Sequence, residues 1–597
     1  MVYILGISCY YHDASAALLK DGMVVAAAEE ERFTRKKHDT SFPINAITYC
    51  LKSQCITMGQ IDYVGFYEKP FLKFERLLGQ HVQMFPWSLK TFVSAMPSWI
   101  HEKLRIRKSI KKLGYQGEVY FIEHHLAHAA ASFLVSPFKK AAILTADGVG
   151  EWSTTTWGIG NENEIQLLGE IRFPHSLGLL YSTITAYLGF SVNNSEYKVM
   201  GLAPYGDMHK KTNLYYEKLK QVIDIKEDGS YTLDLKYFKY HYANRMPSRA
   251  MEKLLDGPTR KREGEKKGSG KESELTQRHK DIAAALQLIL EEAMTAMLKD
   301  LYKKTQCKNI VLGGGVALNS VYNGKVLGKT LFKRMWIHPN PSDGGSSIGV
   351  ASYIYHTILD KKREKRHQLS HAYLGPAFST EEIQQFLDAR GIKYSKFKNR
   401  QDLIASTAKM IFENKVVGWF QGKMEWGPRA LGSRSILANP CNPRAKALLN
   451  EKVKHREHFR PFAPAVCADD ALKYFDCDKP LPEITDFMLM VYPIKKEWHK
   501  TIPSVTHVDG SGRLQTISRK QNPLYYDVIK AFGKLSKAPI LINTSFNIRG
   551  EPIVCTPADA YTCMMGTGID CLVMDTFLIQ RSDNEQDQWN SEQYAND

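Results

Sequence analysis

The feature that most constrains the fold is a strand and hairpin unit that occurs twice in the first third of the chain. The first copy begins with the apolar run Tyr3–Ser8 and continues into two strand-like runs joined at Asp21-Gly22. The second begins with Ile143–Ala146, turns at Asp147-Gly148-Val149-Gly150 and continues into two further strand-like runs between residues 152 and 171. An Asp-Gly pair between strand-like runs is a strong hairpin signal. We therefore predict an internal duplication of two half-domains.

The order of elements after this duplication predicts an α/β fold. Apolar residues recur at helical spacing from Ile282 to Leu301, and a strand at Asn309–Leu312 then runs into Gly313-Gly314-Gly315. Duplicated halves of this kind resemble the actin-like (ASKHA) ATPase architecture, which holds nucleotide between its halves. We predict a first domain over residues 1–360, a charged linker over 361–370, a second α/β domain over 371–582 and a disordered tail over 583–597. The charged stretch 256–280 reads as an exposed insertion.

Composition and charge narrow the class of protein. No apolar run reaches the roughly 18 residues that a membrane-spanning helix needs, and the N-terminus lacks the basic region of a secretory signal. We expect a cytoplasmic protein without a membrane partner. The ten cysteines include no C-x-x-C pair, so we expect isolated thiols and no disulfides. The net charge of +17 favours anionic ligands such as nucleotides and phosphates.

A pair of histidines predicts a metal site. His124 and His128 lie four residues apart, so a helix places them on one face. Two imidazoles leave a cation incompletely coordinated, and Asp147 and Asp343 each follow a strand-like run from which a carboxylate could join them. We predict that these four residues bind one divalent metal. The alternative is a pair of surface histidines on an alanine-rich helix.

Glycine-rich turns after strands predict a nucleotide site in the first domain, because their backbone N–H groups can approach an anion closely. A tight turn without a ligand remains the alternative. The predicted nucleotide or adenylate-binding residues are Gly148, Gly150, Glu151, Gly314, Gly315 and Asn319.

The second domain carries arginines flanked by glycine, proline and aromatic residues instead of by glutamates at helical spacing. Arginine grips phosphate with two parallel hydrogen bonds, so this pattern indicates directed phosphate-binding groups. The predicted phosphate-binding residues, which would bind carbamoyl phosphate and ATP under the family resemblance described next, are Arg429, Arg434, Arg460, Arg513, Asn543 and Ser545.

Together these motifs resemble the O-carbamoyltransferases of the NodU/CmcH type, from residue 3 to about residue 580. The motifs include His12-Asp13-Ala14-Ser15, the two histidines, Asp147-Gly148-Val149-Gly150-Glu151, the run from Glu196 to Leu202, and the run from Trp426 to Leu437. All of them occur in the family's order.

The resemblance implies an actin-like first domain and a YrdC-like second domain. The second would convert carbamoyl phosphate and ATP, with Mg²⁺, to carbamoyl-adenylate. The first would transfer the carbamoyl group to a hydroxyl beside an iron-type metal, with manganese and zinc as alternatives. The acceptor would be a natural product, a toxin, a lipo-oligosaccharide or a capsule sugar.

His12 and Lys198 are the expected catalytic residues. An acceptor hydroxyl is scarcely ionised at neutral pH, and a histidine with an ordinary pKa of about 6.5 suits removal of its proton. A turn-capping role is the alternative for His12, and a surface ion pair is the alternative for Lys198.

Two other functions compete with this interpretation. Both domains resemble tRNA threonylcarbamoylation proteins, and a non-catalytic nucleotide-binding protein of actin-like fold is the other alternative. We expect no nucleic-acid partner, since the fused domains and the Trp426–Leu437 motif favour a small acceptor. Whether the protein forms homo-oligomers stays open.

Overall fold

The first domain contains two five-stranded sheets of the same topology. The computed structural model describes residues 1–260 and 274–584. Its first two sheets have the strand orders β3-β2-β1-β4-β5 and β12-β11-β6-β7-β8. The strands are β1 Tyr3–Ser8, β2 Ser15–Lys20, β3 Met23–Glu29, β4 Tyr63–Phe66, β5 Val119–Phe121, β6 Lys140–Ala146, β7 Ser153–Asn161, β8 Glu164–Arg172, a small ribbon of β9 Ile223–Ile225 and β10 Tyr231–Leu233, β11 Asn309–Gly313 and β12 Arg334–Ile337.

The two sheets repeat one pattern of pairing. In each, an antiparallel meander of three strands (β1–β3 and β6–β8) is extended by two strands that run parallel to its first member. This is the arrangement of the actin-like fold, so the predicted duplication and fold class are confirmed.

The second domain is built on one mixed sheet of nine strands. Their order is β13-β21-β20-β14-β15-β19-β16-β18-β17, with parallel pairing of β14 with β20 and of β16 with β18. The strands are β13 Ser395–Lys396, β14 Val417–Phe420, β15 Arg434–Ala438, β16 Ala463–Cys467, β17 Met490–Pro493, β18 Ser511–Ile517, β19 Ile540–Ser545, β20 Cys571–Met574 and β21 Phe577–Gln580. Helices cover this sheet, as the α/β prediction requires.

Twenty α-helices connect and cover the strands of the described residues. They are α1 Glu31–Thr34, α2 Ile44–Lys52, α3 Pro70–Gln83, α4 Leu89–His101, α5 Ile106–Lys112, α6 His124–Phe133, α7 Leu177–Tyr187, α8 Glu196–Leu202, α9 Leu214–Lys220, α10 Arg249–Leu254, α11 Gln277–Thr305, α12 Ser320–Asn323, α13 Val326–Lys329, α14 Ser346–Tyr353, α15 Thr380–Ala389, α16 Arg400–Phe412, α17 Ala445–Leu448, α18 Ala471–Tyr474, α19 Pro523–Ser536 and α20 Pro557–Met565.

The predicted insertion and tail fall partly outside the described residues. Residues 261–273 and 585–597 are not described, so the expectations for the charged stretch and for most of the tail are not tested there. Within 256–280, residues 277–280 form the first turn of α11 and are not loop. In the predicted linker, Arg363 donates to backbone carbonyls of the first domain, including those of Phe133 and Ser136 at 3.0 and 2.8 Å.

Close packing of α6 and α14 sets the floor of the first domain's cleft. Gly349 on α14 lies so near α6 that a Cβ added there would meet the carbonyl oxygen of Ala127 at 2.1 Å. Only glycine permits this approach. Because α6 begins with His124 and α14 follows directly on the turn that carries Asp343, the contact brings the two segments together.

A buried ion pair clamps the two domains together at Gly427. The Oε1 of Glu29 accepts a hydrogen bond from the N–H of Gly427 at 2.8 Å, and Arg32 donates to the carbonyl oxygen of the same glycine at 2.9 Å. Glu29 and Arg32 are both buried, and each contacts the other. Gly427 has a left-handed backbone with φ of 104°, and a Cβ there would approach the oxygen of Pro339 to 2.8 Å.

We expect Gly427→Ala to destabilise the protein by about 3 kcal/mol, because it adds a steric clash to left-handed strain. The matched control is Gly422→Ala, whose φ is 52° and whose added Cβ meets nothing within 4 Å. The control should cost only about 1 kcal/mol. Urea unfolding followed by tryptophan fluorescence measures both. Equal losses in the two variants would contradict the clamp.

Candidate active site

Four side chains converge at the base of the cleft between the two sheets. The Nε2 atoms of His124 and His128 lie 3.1 Å apart. The Nε2 of His124 lies 3.3 Å from Oδ2 of Asp147 and 3.6 Å from Oδ1 of Asp343. The Nε2 of His128 lies 3.4 Å from the same Asp343 oxygen. All four residues are buried.

This cluster has the dimensions of a divalent metal site. Ligands about 2.1 Å from a metal stand roughly 3.0–3.4 Å from one another in octahedral or tetrahedral geometry. Oδ2 of Asp343 is buried and has no hydrogen-bond partner among the described residues. Ser346 lies 3.2 Å from Nδ1 of His128 and can hold the ring with Nε2 turned inward. The cluster therefore fits a metal better than it fits a set of hydrogen bonds.

Three of the predicted nucleotide-binding residues support this cluster instead of lining the cleft. Both carboxylate oxygens of Glu151 lie 3.1 Å from the backbone nitrogen of His124 and accept its hydrogen bond at the start of α6. A Cβ on Gly150 would meet the His124 ring at 3.0 Å, and one on Gly314 would meet the oxygen of Ala146 at 2.3 Å. Gly150, Glu151 and Gly314 therefore help to position the cluster, and the nucleotide role predicted for them stays a prediction.

A single cavity of about 420 Å³ extends from this cluster into the second domain. The predicted site residues that line it are His12, Asp147, Gly148, Gly315, Asn319, Asp343, Arg429, Arg460, Arg513, Asn543 and Ser545. Gly315 donates its N–H to Oδ1 of Asp147 at 2.7 Å, so it orients a carboxylate of the cluster. Residues that the sequence analysis assigned to adenylate formation and to carbamoyl transfer thus line one cavity.

The far end of the cavity is a group of arginines with too few carboxylates to neutralise them. Burial lowers the pKa of Arg429 to about 10, and its Nε has no hydrogen-bond partner among the described residues. Burial, followed by the charges of Arg429 and Arg460, lowers the pKa of Arg513 well below its ordinary value. Glu457 contacts Arg460 at 3.5 Å. A bound anion would relieve this repulsion, so the geometry suits phosphate groups.

Arg434 has a structural role, and its position outside the cavity argues against the phosphate binding predicted for it. Its side chain is fully buried away from the cavity and donates to four backbone carbonyls, including those of Gln421 and Gly422 at 2.9 and 3.1 Å. Its guanidinium also lies 3.6 Å from the centre of the Phe420 ring. These bonds occupy both terminal nitrogens, and its buried Nε has no hydrogen-bond partner among the described residues.

Lys198 lies behind the cavity wall, which argues against the catalytic role predicted for it. Its Nζ contacts Oε1 of Glu457 at 3.2 Å, and the residue is only 1% exposed. Burial raises the pKa of Glu457, but the charges of Lys198 and Arg460 outweigh burial and lower it to about 2. Lys198 therefore acts across the domain boundary on the position of Glu457 and, through it, of Arg460.

His12 lines the cavity and is held at both ring nitrogens. Its Nδ1 lies 2.7 Å from Oδ2 of Asp13, and its Nε2 donates to the carbonyl oxygen of Asn193. His38 lies 2.7 Å from the other oxygen of Asp13. Burial alone would lower the pKa of His12, but the carboxylate of Asp13 outweighs it and raises the pKa to about 10. The ring is therefore an imidazolium in this arrangement, and it can accept a proton only after it has lost one of its own.

Several cavity residues were not singled out from the sequence. Lys454 donates to the backbone oxygen and side-chain oxygen of Asn547, both at 2.8 Å, and Arg456 and Arg549 line the same end. The sequence does contain a signal for this basic group, because Lys454, Arg456 and Arg460 are three positively charged residues within seven positions, directly before Pro461.

Comparisons with known proteins agree with these observations. Residues 3–352 match the carbamoyltransferase N-terminus family, and residues 408–581 match the carbamoyltransferase C-terminus family. An uncharacterized protein of Synechocystis sp. is 43% identical over 99% of both chains. The nodulation protein NolNO of Sinorhizobium fredii is 35% identical over 97% of this chain and 80% of its own length.

Among solved structures, HypF of T. kodakarensis matches 60% of this chain and 48% of its own, with 15% identity and a TM-score of 0.32. The fold assignment rests on the strand order given above and not on this weak match. No helix in the described part of the chain is both long enough and apolar enough to cross a bilayer. The two family matches cover the first domain and most of the second. The chain is therefore an enzyme that belongs to the carbamoyltransferase family.

Proposed function

We propose that this enzyme is an ATP-dependent O-carbamoyltransferase that forms carbamoyl-adenylate and passes its carbamoyl group to a hydroxyl. The observation that carries the proposal is the single cavity, which joins a buried His₂Asp₂ cluster to an excess of arginines. The first group suits a Lewis acid, and the second suits phosphates. The acceptor in this proposal is a small molecule or sugar with a free hydroxyl.

In the first step of the proposal, one carbamoyl phosphate, one ATP and one water give carbamoyl-adenylate, pyrophosphate and phosphate. This step belongs to the second domain, residues 371–582, because Arg429, Arg460 and Arg513 lie there. Their positive charges would hold the phosphates of both substrates in line and offset the repulsion between the negatively charged substrates. Asn543 is fixed by hydrogen bonds to Ala430 and Gln515, and Ser545 lies two residues away on β19.

In the second step, the acceptor oxygen attacks the carbamoyl carbon and AMP leaves. This step belongs to the first domain, residues 1–360, where the cluster lies. His124, His128, Asp147 and Asp343 would hold a divalent metal, which when bound polarises the carbonyl or the phosphate oxygens. Imidazole and carboxylate ligands suit Fe(II), with Mn and Zn as alternatives.

His12 is the residue that would take the acceptor's proton. Asp13 fixes its ring through Nδ1, as a carboxylate orients the base of a catalytic pair. The ring would first lose its Nε2 proton to water, the acceptor hydroxyl would then replace the carbonyl of Asn193 at Nε2, and the neutral ring would receive the hydroxyl proton.

We expect His128→Ala to lose bound metal, because one of four ligands is removed and its neighbours cannot move to replace it. Metal content per protein, measured by mass spectrometry after dialysis, should fall at least about 10-fold. The matched control is His125→Ala on the same helix, whose Nδ1 contacts Thr145 and which supplies no ligand atom to the cluster. Full metal content in the His128 variant would remove the site from this account.

Arg429→Ala should reduce the release of pyrophosphate that depends on carbamoyl phosphate by at least about 100-fold, since a buried phosphate would lose a charged partner. Arg444→Ala is the control, because Arg444 is exposed and does not line the cavity. Wild-type release by the Arg429 variant would show that the adenylate forms elsewhere.

His12→Asn should leave pyrophosphate release intact and slow carbamoyl transfer by about 100-fold or more. In the unchanged enzyme, transfer should become faster as pH rises above 7, because the raised pKa keeps most rings protonated at neutral pH. Transfer rates at saturating substrates over a range of pH test both points. A rate that does not depend on pH, with rapid transfer by the variant, would exclude His12 as the base.

A further inference from the structure

The described chain concentrates its exposed apolar side chains on one helical hairpin, formed by α3 and α4. Of the 20 large hydrophobic side chains that are exposed in the described residues, nine lie between Phe71 and Ile100. The most exposed are Val82, Trp87 and Phe71, at 75%, 74% and 73%. We call this set the hairpin surface. Scattered exposed hydrophobic residues are ordinary, but a cluster of this kind marks a binding surface.

The hairpin does not need these side chains for its own packing. Its inner seam is already closed, since the rings of His81 and Phe92 stack 4.0 Å apart and those of Phe74 and Trp99 lie 5.8 Å apart. The outward residues recur at helical spacing: Phe71, Leu78 and Val82 share one side of α3, and Leu89, Val93 and Ile100 share one side of α4. Both helices are therefore apolar on two sides, which indicates a second apolar neighbour.

The inner side of the hairpin is anchored beside the cavity. Arg76 lies over the Phe173 ring at 4.8 Å, and Thr91 donates to the carbonyl oxygen of Tyr242 at 3.3 Å. Lys73 lies 4.6 Å from the centre of the Tyr11 ring, and Tyr11 lines the cavity. A single helix therefore separates the hairpin surface from the cavity wall.

Exposed positive charges lie immediately next to the hairpin surface. Arg105, Arg107, Lys108, Lys111 and Lys112 are all exposed on or just before α5, and no acidic residue occurs from 103 to 117. Aromatic and aliphatic side chains beside a group of lysines and arginines are the composition of an element that lies in the interface of an anionic bilayer.

We propose that the hairpin surface and α5 bind the surface of a membrane that contains anionic lipids. Phe85 and Trp87, at the turn of the hairpin, enter the boundary between headgroups and acyl chains, while the α5 cations contact the headgroup phosphates. The binding is independent of the reaction proposed above. A second copy of the chain fits less well, because a two-fold interface would bring the same group of cations on each subunit close to its counterpart.

Co-sedimentation of the full chain with lipid vesicles tests this proposal. One set of vesicles is phosphatidylcholine mixed with phosphatidylglycerol, and the other is phosphatidylcholine alone. We expect binding to the mixed vesicles that weakens as salt is added, since the headgroup contacts are screened. No binding to the mixed vesicles, or equal binding to both sets, would overturn the proposal.

A double variant tests the apolar part of the hairpin surface. Phe85→Ser combined with Trp87→Ser should weaken binding to mixed vesicles at least about 10-fold by removing inserted apolar area. Leu214→Ser combined with Leu331→Ser is the matched control, because each is 60% exposed outside the hairpin, and it should bind as the unchanged protein does. Undiminished binding by the first pair would overturn the assignment.

Sedimentation without lipid tests the competing occupant. The unchanged chain should give the same mass as the Phe85 and Trp87 variant at every concentration. A dimer that the variant dissociates would overturn the proposal in favour of a second copy. The thermal midpoint of each variant should match that of the unchanged chain, since all four altered residues are exposed.

Discussion

The arrangement of the site depends on the buried contact between Glu29, Arg32 and Gly427. Removing two charges from water is costly, and such a pair is tolerated only where further hydrogen bonds satisfy it. Here the backbone of Gly427 supplies one donor and one acceptor, and Asn340 donates to Glu29 at 3.1 Å. Gly427 stands two residues before Arg429, and Asn340 stands three before Asp343. This contact therefore fixes the position of Arg429 in the second domain relative to Asp343 in the first domain.

The two ends of the cavity differ in charge. The metal-type cluster holds two imidazoles and two carboxylates, and because imidazoles bind a metal in their neutral form, the two carboxylate charges are left for a divalent cation to balance. The opposite end holds Arg429, Arg460 and Arg513 with Glu457 as the nearby acid, so its balance requires an anion. Lys198 reduces that acid's effect further by pairing with it. The cavity thus has one end suited to a cation and one suited to phosphate, as the proposed adenylate requires.

The sequence could predict the convergence of the cluster because its signals are local. Two histidines four apart on a helix share a face, and aspartates at the carboxyl ends of parallel strands meet at one edge of a sheet. The duplicated fold was also predictable, because each half has its own sequence pattern of a strand followed by a hairpin. These signals need no knowledge of how the domains pack.

The sequence was least informative where membership of a motif had to stand in for the position of a residue in the fold. Arg434 shares a motif with Arg429, yet it begins a central strand and points into the domain core, and no local pattern distinguishes the two. Glu151 belongs to the glycine turn, but it caps α6 from across the cleft. Lys454 reaches the cavity only because the segment that carries it packs against β19. Such placements depend on contacts between residues that are far apart in the chain.

The central claim is that one cavity holds the adenylate between the arginines and the metal site. A crystal structure with a non-hydrolysable carbamoyl-adenylate analogue, with the metal located by anomalous scattering, tests it most directly. The account predicts that the analogue's phosphate contacts Arg429 and that its carbamoyl group points toward a metal held by His124 and His128. An analogue bound outside this cavity, or one walled off from the metal by protein, would contradict it.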